Sequence, residues 1–389
     1  MPKLTLTSAV LAPLLLTGAS QAQEAATPAQ GGPDLTEVAT FDHQVTGVTV
    51  AEDGRIFVNF PRWTEDVAVS VGEVVDGEVR PYPNEGWNAW RNARKAEVAP
   101  GDHWVSVQSV VADGRGSLWV LDPAAPAAAF VVPGGPKLVQ VDLATNAVAR
   151  TIPFGPDVAP QGSYLNDLRF SPDGGHAYIT DSGPLGALVV VDLGTGEARR
   201  LLESHPTTVA DPDVVVEHEG EPIRRPDGRG VEFAADSIEL SGDGETLFFK
   251  PLTGETLYSV PTAVLEDPAA SADDVAAAVR DEGEVGVTDG FWLDAEGRLY
   301  LSAVEEDAIK LREDGEVRTL LQDDRLRWPD TFSQGPDGMI YVTTSRIMDM
   351  MWYDPESPPQ LETQLWRFDP RGGGAADADG EPPAEQPDP

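Results

Sequence analysis

The 389-residue chain contains no cysteine. Disulfides, thiolate metal sites and cysteine nucleophiles are therefore excluded. Positive charge is also scarce: 27 Lys and Arg face 66 Asp and Glu, giving a formal net charge of −39 and a pI near 4.2. Lysine occurs only at Lys3, Lys95, Lys137, Lys250 and Lys310. With no basic surface to neutralise phosphates, nucleic acid is not an expected partner, and anionic membrane surfaces are disfavoured for the same reason. The acidity fits a protein kept soluble at high ionic strength, where screening relieves self-repulsion; an acidic surface without that adaptation fits as well. No apolar run is long enough to cross a bilayer. The nearest, Leu4 to Leu16, follows Lys3 and precedes Ser20-Gln21-Ala22. That is the arrangement of a secretory leader cleaved after Ala22, so the expectation is an exported, periplasmic or secreted protein without membrane insertion. A Gly-rich phosphate loop, HExxH and GxSxG are all absent.

What the chain does have is a phrase repeated six times. An oxygen-bearing residue opens an alternating apolar stretch, a turn Gly follows eight positions later, and a second apolar run follows the turn. The copies run from Thr46 to Gly54, Ser106 to Gly114, Asn166 to Gly174, Asp236 to Gly244, Asp289 to Gly297 and Asp330 to Gly338. The second runs are RIFVNF, SLWVLD, HAYITD, TLFFK, RLYLSA and MIYVTT. Two β-runs joined by a Gly turn read as a hairpin. Six such hairpins, with glycines 60, 60, 70, 53 and 41 residues apart, read as a repeat array. The expected fold is all-β: a six-bladed β-propeller of four-stranded antiparallel blades, an architecture that leaves few open strand edges.

The expected organisation is a leader over 1–22, a flexible lead over 23–34, the propeller over 35–370 and an acidic Gly/Pro-rich tail over 371–389. The runs Leu138 to Leu143, Leu188 to Leu193 and Leu365 to Asp369 read as third strands. The last has nothing after it to serve as a fourth, and Glu37 to Phe41 has no local partner. The N-terminal run is therefore expected to complete that blade and close the ring. Three long connections stand out. Residues 84–104 mix Trp with basic residues; 204–233 carry His205 and His218, expected at the surface; and 266–288 contain a short helix beginning at Ser271. The first two are expected over the channel mouth, with the third a further candidate for that place, where long loops often carry function.

In a propeller the residue eight before each turn Gly occupies one structural position six times over. That column reads Thr46, Ser106, Asn166, Asp236, Asp289, Asp330. Carboxylates converging near an axis repel unless a proton or cation joins them. Hard oxygen donors suit Ca²⁺, or Mg²⁺ with retained waters, and Asn166, Asp236 and Asp289 are the candidate metal ligands. The other readings are contact with an organic ligand without metal, and polar residues that pair with backbone at strand starts. His103 is placed to act as an acid or base at the channel mouth, with Asp236 and Asp289 the other candidate catalytic groups. Arg327 and Trp328 would offer a cation and a stacking face to an anionic aromatic substrate. Trp104, Ser106, Gln108, Asn166 and Asp330 complete the candidate binding set.

Several segments resemble the yellow / major royal jelly protein family. They are Phe57 to Trp63 (FVNFPRW), Pro81 to Asn84 (PYPN), Val105 to Gln108, Leu118 to Asp122, Ala177 to Ser182, Trp328 to Asp330, Tyr341 to Thr344 and, above all, Asp236 to Leu265. The resemblance spans residues 37 to 369 and implies a six-bladed propeller, in line with the repeat count. It also implies a small-molecule site, since insect members are associated with dopachrome conversion and some bind biogenic amines. The stretches Asn166 to Gly174 and Asp289 to Gly297 are similar, more weakly, to inner strands of regucalcin/gluconolactonase propellers, which use one divalent cation to open lactones. Here Thr46 stands where that pattern carries a Glu. Three functions follow as expectations: a tautomerase or isomerase of cyclic or aromatic substrates, a Ca²⁺-dependent lactonase or ester hydrolase, and a non-catalytic small-molecule binding protein. A monomer is expected.

Overall fold

Each of the six phrases folds as an antiparallel hairpin, and each hairpin is the inner half of a four-stranded sheet. The computed structural model describes residues 32–372 except 129. The expected leader (1–22), residues 23–31 of the lead (23–34) and all but the first two residues of the tail (371–389) lie outside the described residues. Blade 1 consists of Val48–Val50, Ile56–Asn59, Val71–Val75 and Glu78–Pro81. Blade 2 is Ser109–Ala112, Ser117–Asp122, Lys137–Asp142 and Ala147–Pro153; blade 3 is Leu165–Phe170, His176–Asp181, Ala187–Asp192 and Ala198–Leu201. Blade 4 is Ala235–Leu240, Thr246–Pro251, Thr256–Pro261 and Arg280–Glu284; blade 5 is Thr288–Leu293, Leu299–Ala303, Ala308–Glu313 and Glu316–Gln322. Blade 6 takes Pro329–Gln334, Ile340–Thr344 and Thr363–Phe368 from the end of the chain and Thr36–Phe41 from its beginning. The ring is thus closed by the N-terminal strand, paired Phe41 to Thr363 and Thr36 to Arg367.

Alternation along the strands explains the packing. Side chains on the two faces of a strand enter different cores, so both faces are apolar. In His176–Asp181, Ala177 and Ile179 pack with Leu121, Leu138 and Ile152 of blade 2, while Tyr178 packs with Ile238, Leu247 and Phe249 of blade 4. The same sharing recurs at the four other blade junctions, with Phe291 and Leu301 between blades 4 and 5, and Phe332, Trp366 and Tyr300 between blades 5 and 6. Val58 and Phe60 meet Phe41 and Leu365 at the closure, and Phe57 meets Leu118 and Val120 between blades 1 and 2.

Blades 2 and 3 fix the start of their inner strands in the same way. The Asp at the end of the second strand reaches back to backbone N–H groups. Asp122 accepts from Val105 (2.7 Å), Ser106 (3.0 Å) and Ala124 (2.9 Å); Asp181 accepts from Tyr164 (2.8 Å) and Gly183 (2.9 Å). Each carboxylate is fully buried and carries a buried cation, Lys137 at 2.8 Å and Arg200 at 2.5 Å.

The long connections differ in part from expectation. Residues 84–104 form three short 3-10 turns wrapped around Arg62, whose guanidinium donates to the carbonyls of Asn88 (2.8 Å), Val105 (3.1 Å) and Trp104. Residues 204–233 carry a two-stranded ribbon, Glu217–His218 with Glu221–Pro222. His218 is buried rather than at the surface, with Nε2 2.8 Å from Asp307. The helix beginning after Ser271 exists, as Ala272–Ala278, with Ser271 and Asp274 forming a reciprocal capping box. It lies on the face opposite the mouth: the preceding helix Thr262–Glu266 starts with the Thr262 hydroxyl donating to Gly244 O at 2.8 Å, in an inner hairpin turn. No described helix is long and apolar enough to cross a membrane.

Removing one member of a buried ion pair leaves the other charge uncompensated. Asp122→Ala should therefore destabilise the protein by about 3–5 kcal/mol, read as a lower urea midpoint. A loss within about 0.5 kcal/mol, the range of an ordinary surface change, would show that Lys137 and the Val105–Ala124 backbone do not depend on this carboxylate.

Candidate functional site

The column of inner-strand residues forms, with one change of member. In blade 1 the turn is closed by Ala51 N–H to Arg55 O (2.9 Å), one residue past Gly54. In blade 2 the matching bond runs from Asp113 to Ser117 (3.0 Å), so the turn glycine is Gly116 (φ +85°), not Gly114. Eight residues before Gly116 stands Gln108. The neighbouring blades agree: the carbonyl of a column residue accepts a side-chain bond from the blade before it. Asn59 Nδ2 donates to Gln108 O (2.9 Å), Thr180 to Asp236 O (2.7 Å) and Thr343 to Thr46 O (2.6 Å), while Ser237 donates to Asp289 O. Between blades 5 and 6 the approach is by backbone. A Cβ on Gly290 would stand 2.0 Å from Asp330 O, so only glycine fits there. The column is therefore Thr46, Gln108, Asn166, Asp236, Asp289 and Asp330. Ser106 is displaced from it; it is fully buried and accepts the Arg62 N–H at 3.1 Å.

Five of the six line one cavity of about 240 Å³ at the channel mouth: Gln108, Asn166, Asp236, Asp289 and Asp330. Thr46 does not, because its hydroxyl accepts from Asn59 (2.8 Å) and donates to Gln108 O (3.3 Å). The walls are aromatic. Trp63 and Trp352 pack with ring centroids 5.1 Å apart, and Tyr164 and Phe233 complete the enclosure. Trp63 Nε1 donates to Tyr164 Oη (2.8 Å), which donates to Gln108 Oε1 (2.8 Å), so wall and floor are one hydrogen-bonded unit. Asn166 donates to Ser182 Oγ at 3.0 Å.

The floor holds more acid than it can ionise. Asp236, Asp289 and Asp330 are each about 5% exposed or less. The Asp236 and Asp289 carboxyl groups lie within hydrogen-bonding reach of each other. Burial raises Asp236 well above the ordinary carboxylate value, and Asp289, Asp167 and Asp330 add repulsion. Burial likewise raises Asp330, again with repulsion from Asp289 and Asp167. Asp289 is pushed up to about 7 by burial, held back by the Trp328 indole, whose Nε1 donates to its Oδ2 at 2.7 Å. Beneath lies Lys250, wholly buried and donating to the carbonyls of Pro251 (2.8 Å), Leu252 (3.4 Å) and Thr288 (3.5 Å). Burial lowers it to about 7, and Asp236 and Asp289 oppose that shift. Burial and mutual repulsion therefore favour a proton held between the two carboxyls of the pair, as for like charges in close contact.

Several candidates from the sequence lie elsewhere. His103 follows a 3-10 turn and its Nδ1 is 2.8 Å from Ala99 O, outside the cavity lining. Trp104 is fully buried beneath the 84–104 connection, bonded to Tyr82 O (2.9 Å) and packed on Trp87. Arg327 makes a bidentate pair with Asp349, at 2.6 and 2.7 Å, and does not line the cavity. Trp328 is fully buried and serves Asp289 rather than presenting a face. Sequence reasoning misses the walls: Trp63 stands out only as part of FVNFPRW, and Trp352, Phe233 and Arg225 carry no signal of their own.

The donor chemistry of Asn166, Asp236 and Asp289 suits a hard cation, but their arrangement does not form a cage for one. One Asp289 oxygen is taken by Trp328, the two carboxyl groups face each other, and Asn166 bonds Ser182. Among the described residues no three His, Asp or Glu side chains converge at metal-holding spacing.

Asp289 titrates near 3.8 when unfolded and near 7 when folded. Between those values the folded state holds a proton that the unfolded chain has released, so this group's contribution to stability falls as pH rises through that window and is level above it. Asp289→Asn keeps an acceptor for Trp328 without the titration. Relative to wild type, the variant should gain on the order of 1–4 kcal/mol between pH 4 and 8, measured by urea unfolding at a series of pH values. A pH-independent difference would mean that Asp289 titrates normally.

No curated protein matches the sequence. Solved structures match at the level of fold. A luciferin-regenerating enzyme is 12% identical with TM-score 0.51, covering 88% of this chain and 96% of its own. Regucalcin from Agrobacterium tumefaciens, a calcium-binding protein, is 15% identical with TM-score 0.48, covering 85% and 93%. A gluconolactonase from Xanthomonas campestris is 13% identical with TM-score 0.49, covering 89% and 99%. The family described as Major royal jelly protein matches residues 105–356, well over half of the sequence. The chain belongs to the major royal jelly protein family.

Proposed function

We infer that the protein is a small-molecule enzyme that moves a proton within a cyclic or aromatic substrate, a tautomerase or isomerase. The observation that carries this reading is the proton-sharing pair Asp236–Asp289 beneath an aromatic-walled cavity. Tautomerisation needs a base to take a proton from carbon and an acid to deliver one, or a hydrogen bond, to the oxygen on which charge develops. A pair with one proton between two carboxyls supplies both: the ionised member abstracts, and the protonated member donates. The substrate's C–H bond breaks, an O–H or new C–H bond forms, and the pair returns with one proton after the exchange. An environment that keeps a carboxylic acid neutral near pH 7 is what makes such donation available. Trp328 orients Asp289, while Trp63, Phe233 and Trp352 hold a flat substrate over the pair and exclude water. Membership of a family associated with dopachrome conversion supports this class of chemistry.

A non-catalytic binding role has its own support in the aromatic walls, which need no chemistry to hold a ligand. The two readings separate by turnover. With cyclic enolisable ketones and catechol-derived quinones followed by ultraviolet absorbance, Asp236→Asn and Asp289→Asn should each lower kcat/KM by about 10²–10⁴. The wild-type rate should depend on pH with an inflection near 7 that belongs to the pair, and EDTA should leave it unchanged. Unaltered turnover in both variants would remove the proton-transfer reading. Saturable binding without turnover would favour the binding role, and activity abolished by chelation would restore the cation-dependent hydrolase.

A further inference from the structure

The sequence offered Arg327 and Trp328 as a cation beside a stacking face, and the structure gives both other duties. The same pair of chemistries occurs at another place. Arg225 lines the cavity with its guanidinium carbon 5.4 Å from the Trp352 ring centroid and 5.5 Å from that of Tyr353. Among the described residues no carboxylate lies within ion-pair distance of Arg225, in a chain where acids outnumber bases by more than two to one. It is delivered by a tight turn. Arg225 N–H bonds Arg229 O (2.8 Å) and Gly228 N–H bonds Arg225 O (2.8 Å), with Gly228 at φ +90°. The turn brings Arg229 to the cavity as well. Arg229 is paired with Asp227 at 2.8 Å, but both side chains are more than half exposed, so that pair is weak and exchangeable.

We propose that Arg225, assisted by Arg229, forms an anion subsite at the cavity mouth, so that the substrate is a cyclic or aromatic compound bearing a carboxylate or similar planar anion. This rests on the reading of the cavity as a small-molecule site. The Arg225 guanidinium is within cation–π range of two rings and has no carboxylate partner among the described residues, and a guanidinium matches a carboxylate in two parallel hydrogen bonds. The anion would occupy the mouth and the ring the aromatic enclosure, which places the reacting atoms toward Asp236 and Asp289. Glu232 also lines the mouth and opposes the anion, so the preference comes from directed hydrogen bonds rather than from net charge. At the floor, burial raises Asp236 and Asp330 well above the ordinary carboxylate value, which favours their neutral forms and lessens repulsion from below.

Benzoate and benzamide are matched probes that differ in charge and share their ring. Binding is read by quenching of tryptophan fluorescence and by calorimetry on the full chain at neutral pH. Wild type should bind benzoate at least about tenfold more tightly than benzamide, equivalent to about 1.4 kcal/mol. Arg225→Gln should abolish the preference, and Arg225→Lys should keep only part of it. Arg224→Gln, whose side chain does not line the cavity, should leave it intact, and unchanged melting temperatures would show that each variant is folded. Equal affinity for the two probes in wild type, no binding of benzoate, or a preference that survives in Arg225→Gln would overturn the subsite. A protein that prefers benzoate but turns over no cyclic substrate would keep the subsite and remove the proton-transfer reading; turnover without the preference would do the reverse.

Discussion

The pairing of Thr36–Phe41 with Thr363–Phe368 is the contact on which the ring depends. Each blade buries its two faces against different neighbours, so no blade has a core of its own. Until the first strand meets the last, blade 6 lacks its outer strand, and Phe41 and Ala39 cannot join Val48, Val58 and Phe60 in the junction with blade 1. Bringing together ends more than 300 residues apart is costly in chain entropy, but the cost grows only logarithmically with length. The gain is a structure with no open junction, in which the column residues are fixed from both sides.

That fixity is what makes the acidic floor possible. Three carboxyl groups in one buried place would separate if their strands could move. They are held because each column residue's backbone is tied to its neighbour: Thr180 to Asp236 O, Ser237 to Asp289 O, and Gly290 against Asp330 O. The strain is relieved by protonation instead of displacement, which gives the site an acid and a base of the same chemical type. Stability elsewhere, including the buried pairs Asp122–Lys137 and Asp181–Arg200, sustains this locally unfavourable arrangement.

The legibility of these features in the sequence follows their physics. Strand alternation and turn glycines are local, so blade number, hairpins, the closing strand and the short helix at Ser271 could be read directly. The column could be read because it is tied to the turn by a fixed strand length. It slipped at blade 2, where GRG offers two glycines and only the closing bond from Asp113 to Ser117 tells them apart. The mouth resisted reading because its loops have no period. Arg327, His103 and Trp104 look functional by type, yet each is spent on a partner that only the fold supplies: Asp349, Ala99 O and Tyr82 O. Conversely Trp63, Phe233 and Trp352 come from three separate connections, and nothing in their spacing predicts that they meet. The RPDGR turn at Arg225 was readable as a turn but not as part of a wall.

The shared proton of Asp236 and Asp289 also ties the cavity to the surrounding solution. A ligand that displaces water from above the pair removes solvation from its remaining negative charge, and the pair responds by drawing in more proton. Occupancy of the cavity and hydrogen-ion activity then become linked variables, each shifting the other by the same factor. The heat of binding will accordingly carry a share of the buffer's own ionisation enthalpy, and a change of buffer at constant pH will count the protons taken up with each ligand molecule.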